Sequence, residues 1–148
     1  MISFHFQMQC NLKDRIKLKA FINNLIKKEG YIAGDISFVF CSDDYILDIN
    51  REFLDHNYPT DIITFDYHNK KQLNAEIYIS LDTIRENSKF FKSEFNKELH
   101  RVIFHGILHL CKYKDKTQKE KELMRKMEDF YLDKYFNVSH DTVSPRNK

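Results

Sequence analysis

The chain has no run of about 18 apolar residues, so no segment is long enough to span a bilayer as a helix. It contains no CxxC pair, no internal repeat, no low-complexity tract and no interdomain linker. Its first residues lack the basic flank and small-residue cleavage site of a secretory signal. Instead Ile2, Phe4, Phe6 and Met8 alternate with Ser3, His5 and Gln7, which is strand patterning. Cys10, Cys41 and Cys111 are odd in number and scattered, which is no disulfide framework and points to a reducing, cytoplasmic compartment. Each cysteine reads as a small buried hydrophobe. A strong charge of one sign is missing too: the formal net charge of +2 neither demands nor excludes nucleic acid. What is present is 148 residues, 42% hydrophobic and 31% charged, the composition of a globular domain with a single core. That domain is expected to occupy residues 1–137, with 138–148 a polar, flexible tail containing Pro145.

Periodicity sets the element order. After the opening strand a helix is expected from Asn11 as N-cap, with Asp14 three positions later, Leu12, Ile16, Leu25 and Ile26 at helical spacing, and Gly30 ending it. Ile36, Phe38 and Phe40 mark a second strand. Ser42, Asp43 and Asp44 then look like a cap and acidic first turn for a short helix with Ile46, Ile49 and Phe53 inward, broken at Asn57-Tyr58-Pro59. Ile62 to Phe65 and Glu76 to Ser80 read as a hairpin around the polar stretch His68 to Asn74. From Leu81 onward the period is helical, with Ser80, Asn96 and Thr117 as caps. Thr117-Gln118-Lys119-Glu120 is a full capping-box pattern, opening a helix expected to carry Leu123, Met127 and Phe130 inward. Strands first and helices later predict an α+β fold, a small mixed four-stranded sheet packed with about five helices.

The informative segment is Phe104-His105-Gly106-Ile107-Leu108-His109-Leu110. His105 and His109 are four apart, so on a helix both imidazoles leave one face and can bind one ion. Val102, Ile103, Phe104, Ile107, Leu108, Leu110 and Cys111 make this helix apolar nearly all round, the mark of a buried one. Imidazoles in such a setting need partners for their nitrogens, and a metal satisfies both at once. The competing reading is that each simply hydrogen-bonds to backbone or carboxylate. A catalytic zinc site usually takes a third protein ligand and keeps one position open. Tyr113 is a rare ligand type and Cys111 faces the wrong side. Asp115 can fold back if the chain reverses near Lys112 to Lys114, and it can equally be an ordinary turn aspartate. Gly106 stands where a zinc protease of the HExxH kind keeps its general base, which argues against peptidase chemistry. That glycine costs roughly 1 kcal/mol in a helix and suggests close approach of another backbone or a substrate.

The segment from His105 to Asp115, HGILHLCKYKD, resembles the signature of the YbeY family of ribosomal RNA maturation factors, His-Gly-x-Leu-His-Leu-x-Gly-Tyr-x-His or Asp. Asn50 to Phe65, NREFLDHNYPTDIITF, is similar to the family region where a Pro-Thr-Asp or Pro-Thr-Asn triplet enters a strand, and Ala75 to Ser80 resembles the strand that follows. The resemblance implies a single-strand-specific, metal-dependent endoribonuclease acting in rRNA maturation and small ribosomal subunit assembly, with one zinc ion. It places the metal ligands on His105, His109 and Asp115, which act in catalysis through that metal, and makes rRNA and the small subunit or its proteins the partners.

Three departures from the family pattern shape the expectations. Asp115 stands where many members carry histidine, and a carboxylate acidifies a metal-bound water less and suits manganese or iron more. Lys112 replaces the usual glycine and costs on the order of 1 kcal/mol if the turn needs positive φ. Leu54 replaces a functional arginine, with Arg51 one helical turn earlier. Lys112, Lys114 and Arg101 are candidates to neutralise phosphate, against the commoner role of solvated surface. Two rival readings stay open: a non-catalytic assembly factor whose metal braces the fold, and a metallohydrolase of a non-RNA substrate, which would need a narrow apolar pocket. Oxygen-using iron chemistry is suggested by ligand type alone.

Overall fold

The computed structural model describes residues 1–54 and 60–143. In order, the elements are β1 (Ile2–Phe6), α1 (Arg15–Lys28), β2 (Ile32–Cys41), α2 (Asp43–Phe53), β3 (Ile62–Asp66), β4 (Gln72–Ser80), α3 (Leu81–Phe90), α4 (Phe95–Leu110) and α5 (Gln118–Val143). The sheet order is β1-β2-β4-β3, with β1, β2 and β4 parallel and β3 antiparallel on the β4 edge. This is the expected α+β fold with a mixed four-stranded sheet. The β3–β4 hairpin is present, although β4 begins at Gln72, inside the stretch expected to be loop. The Asn57-Tyr58-Pro59 break lies outside the described residues. Helix α5 runs on to Val143, beyond the expected domain boundary at Asn137.

One face of the sheet carries the main core. Ile36, Phe38 and Phe40 of β2 and Leu73, Ala75, Ile77 and Ile79 of β4 pack with Leu18, Ile22, Leu25 and Ile26 of α1 and with Leu99, Ile103, Phe104, Ile107 and Leu108 of α4. A smaller cluster of Cys41, Ile46, Ile49 and Ile63 holds α2 on the opposite face. Gly106 sits where α4 meets β3 and β4. A Cβ there would approach Ile62 Cδ1 to 3.0 Å and Ile77 Cδ1 to 3.4 Å, so the glycine makes room for two side chains of the sheet. The close approach at Gly106 is made by side chains of the protein's own core, where a second backbone or a substrate was expected.

Several expected details are corrected. Helix α1 starts at Arg15, because Asp14 takes a left-handed conformation (φ 53°) at the N-cap, so Asn11 and Leu12 precede the helix. Ile16 is 87% exposed, and the inward positions are Leu18, Ile22, Leu25 and Ile26. Phe53 at the end of α2 is 63% exposed, leaving Ile46 and Ile49 inward. Helix α4 begins at Phe95, and Asn96 lies inside its first turn. Its carbonyl accepts from His100 Nδ1 at 2.7 Å. In α5 the buried face is Met124, Glu128, Tyr131, Leu132 and Tyr135, while Leu123 and Phe130 stay largely exposed. The caps at Ser42, Ser80 and Thr117 are as expected. Ser42 Oγ accepts from Tyr45 N, and Ser80 Oγ accepts from Thr83 N. Glu120 N donates to Thr117 Oγ1 at 3.1 Å, and Thr117 N donates to Glu120 Oε1 at 2.9 Å, closing the box.

Helices α1 and α4 end in the same motif. Tyr31 N reaches back to Ile26 O and Gly30 N to Lys27 O after α1; Tyr113 N reaches Leu108 O and Lys112 N reaches His109 O after α4. This is the paired closure that requires a left-handed residue just past the cap. Gly30 (φ 92°) fills that place in one turn and Lys112 (φ 77°) in the other. A left-handed lysine costs about 1–2 kcal/mol, and the added freedom of glycine in the unfolded chain returns about 0.4–1 kcal/mol of that. Lys112→Gly is therefore expected to stabilise the protein by about 1 kcal/mol and raise its melting temperature by about 2–4 °C. Thermal melts of metal-free wild type and variant check this, and a lowered melting temperature would count against the strain.

Candidate metal centre

Burial along α4 leaves Arg101, His105 and His109 half-buried on one face, four residues apart, while Leu99, Val102, Ile103, Phe104, Ile107, Leu108 and Leu110 are buried. The two imidazole rings stand edge to face with centroids 4.5 Å apart. Each uses its Nδ1 to hold a partner behind it. His105 Nδ1 lies 2.6 Å from Glu128 Oε2, and His109 Nδ1 lies 2.9 Å from the Tyr113 carbonyl oxygen. Both partners are acceptors, so Nδ1 donates in each ring and the Nε2 lone pair is turned forward.

The turn that Lys112 makes after α4 brings Asp115 back over the pair. Its Oδ2 lies 3.5 Å from His105 Nε2 and 3.3 Å from His109 Nε2. The ligating atoms of the three residues all lie within 4.8 Å of one another. Those N···O separations are close to the edge of a tetrahedron with metal bonds of about 2.1 Å, which is about 3.4 Å. The donor set, two back-tethered imidazoles and a carboxylate converging from a separate turn, therefore fits a divalent ion. Side-chain exposures of 21% for His105, 32% for His109 and 40% for Asp115 leave the group open to solvent on one side. Cys111 points away, as expected from the helix. Burial pushes its thiol up to about 12, with Glu29 adding to the effect, and its sulfur is not among the converging ligand atoms.

Behind the ligands lies a second layer. Glu128 from α5 is 5% exposed. Its other oxygen accepts from Arg101 Nη1 at 3.0 Å, and Arg101 Nη2 donates to Asp129 Oδ1 at 2.8 Å. Arg101, a candidate for phosphate contact in the sequence, is thus committed to bracing Glu128. Lys112 is half-exposed, 3.9 Å from Asp66. Leu54 caps the C-terminus of α2 and is 39% exposed.

Two residues with a part in this site carried no expected role. Glu128 is a carboxylate within the apolar face of α5, and that placement was its signal. Asp61 belongs to the Pro-Thr-Asp triplet and lies close enough to His105 and Glu128 to feel both charges. Burial pushes its carboxyl above the usual range against the opposing pull of His105. For His105 itself, burial disfavours the imidazolium, but Glu128 first, then Asp61 and Asp115, outweigh it and hold the pKa above the ordinary 6.5.

Comparison with known proteins matches residues 5–136 to the family model described as Endoribonuclease YbeY. The chain belongs to the YbeY family. A relative from Cytophaga hutchinsonii named Endoribonuclease YbeY is 46% identical over 130 residues, covering 87% of this chain and 91% of that protein. One of the same name from Flavobacterium psychrophilum is 39% identical over 141 residues, covering 95% of this chain and all (100%) of that protein. Among solved structures, the solution structure of a Thermotoga maritima protein superposes with a TM-score of 0.65 at 27% identity, covering 100% of this chain and 97% of that one. Among the described residues, no helix is long and apolar enough to cross a membrane.

The raised pKa of His105 has a consequence with a definite sign. In the metal-free protein the folded state holds this proton more tightly than the unfolded chain does. Its stabilising contribution is complete below pH 6.5 and is lost as pH rises through the folded value. An ion at Nε2 must displace the same proton, so uptake releases it, and affinity weakens by about tenfold per unit as pH falls below that value. Calorimetric zinc titration of chelator-treated protein in two buffers of different ionisation heat measures the release. Binding that carries no proton release at pH 6 would contradict this account of the site.

Proposed function

We propose that this chain is a metal-dependent endoribonuclease, specific for single-stranded RNA, that acts in rRNA maturation and small ribosomal subunit assembly in the cytoplasm. The observation that carries the reading is the convergence of His105 Nε2, His109 Nε2 and Asp115 Oδ2 on one open point, with both Nδ1 atoms held from behind. Membership in a family named for endoribonuclease activity supplies the substrate class. His105, His109 and Asp115 would hold one ion, zinc in the first instance; two histidines with a carboxylate also accommodate manganese or iron. Bound there, such an ion supplies Lewis acidity toward a phosphodiester and lowers the pKa of water.

The chain's own residues do the rest. Glu128 and the Tyr113 carbonyl orient the two imidazoles. Asp61 lies close enough to His105 to feel its charge, and burial pushes its carboxyl pKa up. Arg125 is 63% exposed, with its guanidinium 3.9 Å from Glu128, and together with Lys112 and Lys114 it offers cations on the rim for phosphate. The partial exposure of all three ligands suits a polymer better than a small substrate enclosed in an apolar pocket.

Leu54 at the position of the family arginine, and the commitment of Arg101 to Glu128, favour a second reading: an assembly factor that binds RNA or ribosomal protein and uses the metal only as a brace. Cleavage of single-stranded RNA by wild type beside identically purified His109→Ala, with chelator and with zinc or manganese returned, separates the two. The nuclease reading expects His109→Ala to lose metal binding and at least about a hundredfold in rate, roughly 2.7 kcal/mol of barrier. Equal cleavage by both proteins, or none by wild type with metal bound, would move the assignment to the assembly factor.

A further inference from the structure

Glu29 closes helix α1 and takes no part in the metal site, yet its two oxygens are both engaged by phenols. Its Oε1 accepts from the Tyr113 hydroxyl at 2.9 Å, and its Oε2 accepts a short hydrogen bond from the Tyr131 hydroxyl. The three residues come from three parts of the chain: the end of α1, the turn after α4, and the buried face of α5.

Each phenol sits on a segment that carries one of the imidazole tethers. Tyr113 supplies, through its own carbonyl, the acceptor 2.9 Å from His109 Nδ1. Tyr131 lies one helical turn after Glu128, whose Oε2 is 2.6 Å from His105 Nδ1. One carboxylate therefore grips both segments from which the ligand rings are aimed. Groups behind metal ligands set ring direction and ligand basicity, and losing one typically weakens metal binding by about 10–100-fold.

We infer that Glu29 is a positioning residue of the metal centre, fixing through Tyr113 and Tyr131 where the Tyr113 carbonyl and the Glu128 carboxylate stand, and hence where both Nε2 lone pairs point. The inference rests on the metal-centre reading above and is independent of what the centre cuts. A carboxylate that merely braced the fold would lower the stability of the metal-free protein without changing how tightly the folded protein holds an ion.

Cobalt(II) titration distinguishes the two. Chelator-treated wild type, Tyr113→Phe, Glu29→Gln and the double variant would be titrated with cobalt, reading the visible absorption band and the dissociation constant by chelator competition. Melting of each metal-free protein would be followed alongside. Tyr113→Phe keeps the ring and removes only the hydroxyl, and the melting curve reports whether the variant is folded. Each single variant is expected to bind cobalt about 10–100-fold more weakly, with a shifted visible band. The double variant should be no weaker than the weaker single, because the contact that Tyr113→Phe removes is one of the two that Glu29→Gln alters. Wild-type affinity and band in both single variants, whatever their melting temperatures, would overturn the inference, and so would full additivity in the double. Wild type that takes up no cobalt would overturn the metal centre and this inference together. Wild type that binds cobalt while Tyr113→Phe and Glu29→Gln bind it equally well overturns the inference alone.

Discussion

An imidazole has two nitrogens, and a pair of imidazoles can serve one ion only if something holds the other nitrogen of each. In this protein that constraint is met by a buried carboxylate for His105 and a backbone carbonyl for His109. The rest of the structure is arranged around delivering those two acceptors. Gly106 lets α4 settle against Ile62 and Ile77, which fixes the height of the helix over the sheet. The burial of Met124, Leu132 and Tyr135 docks α5 so that Glu128 arrives under His105. Without the tethers the rings would rotate among rotamers, and each Nε2 would lose the direction it shares with Asp115.

The turn after α4 shows the same constraint from the side of strain. A helix must close its last carbonyls, and closing them with a left-handed residue reverses the chain within a few positions. Here the reversal does two jobs. It places the Tyr113 carbonyl against His109, and it returns Asp115 to the Nε2 atoms at 3.3–3.5 Å. Glycine would make the turn without strain, as Gly30 does after α1. Lys112 makes it instead, at a strain of about 1–2 kcal/mol, and Lys92 (φ 53°) makes the same closure after α3.

Much of this was legible in the residues. Alternation in β2 and β4, the Ser42, Ser80 and Thr117 caps, and the apolar surround of His105 and His109 each follow from local rules, and the structure keeps all of them. The three residues singled out as a possible metal group lie together. The misses in inward positions share one cause, which is that periodicity does not say which of two adjacent faces will be covered. In α5 the row Leu123, Met127, Phe130 and the row Met124, Glu128, Tyr131, Tyr135 have the same spacing. The second contains a charge, so apolar counting prefers the first. Packing reverses that choice because Glu128 is paid for by Arg101 and His105, partners from 27 and 23 residues earlier in the chain. Phe53 and Ile16 are the same error in terminal helical turns, where the side chain stays mostly exposed, Phe53 meeting the Phe65 ring edge to face. Asp14 replaced Asn11 as the start of α1 because the left-handed state open to aspartate moved the entry by three residues.

The charges around the centre explain why Arg101 is spent on Glu128 when it could face a phosphate. Asp115 and Glu128 bring two carboxylates to the two imidazoles, and Asp61 stands close by. An unopposed buried Glu128 would pull proton density from His105 and make the ring a stronger donor, while adding negative charge behind a site that must attract an anionic backbone. The Arg101 guanidinium, 11% exposed and 3.0 Å from Glu128 Oε1, offsets that charge without releasing the hydrogen bond to His105 Nδ1. Burial also pushes the Asp61 carboxyl pKa up, against the pull of His105. A divalent ion held by His105, His109 and Asp115 would add positive charge against these carboxylates, with Asp115 in the place of a third histidine. The aspartate ligand, the buried arginine and Glu128 are thus one electrostatic arrangement, and a change at any of them alters what the other two must balance.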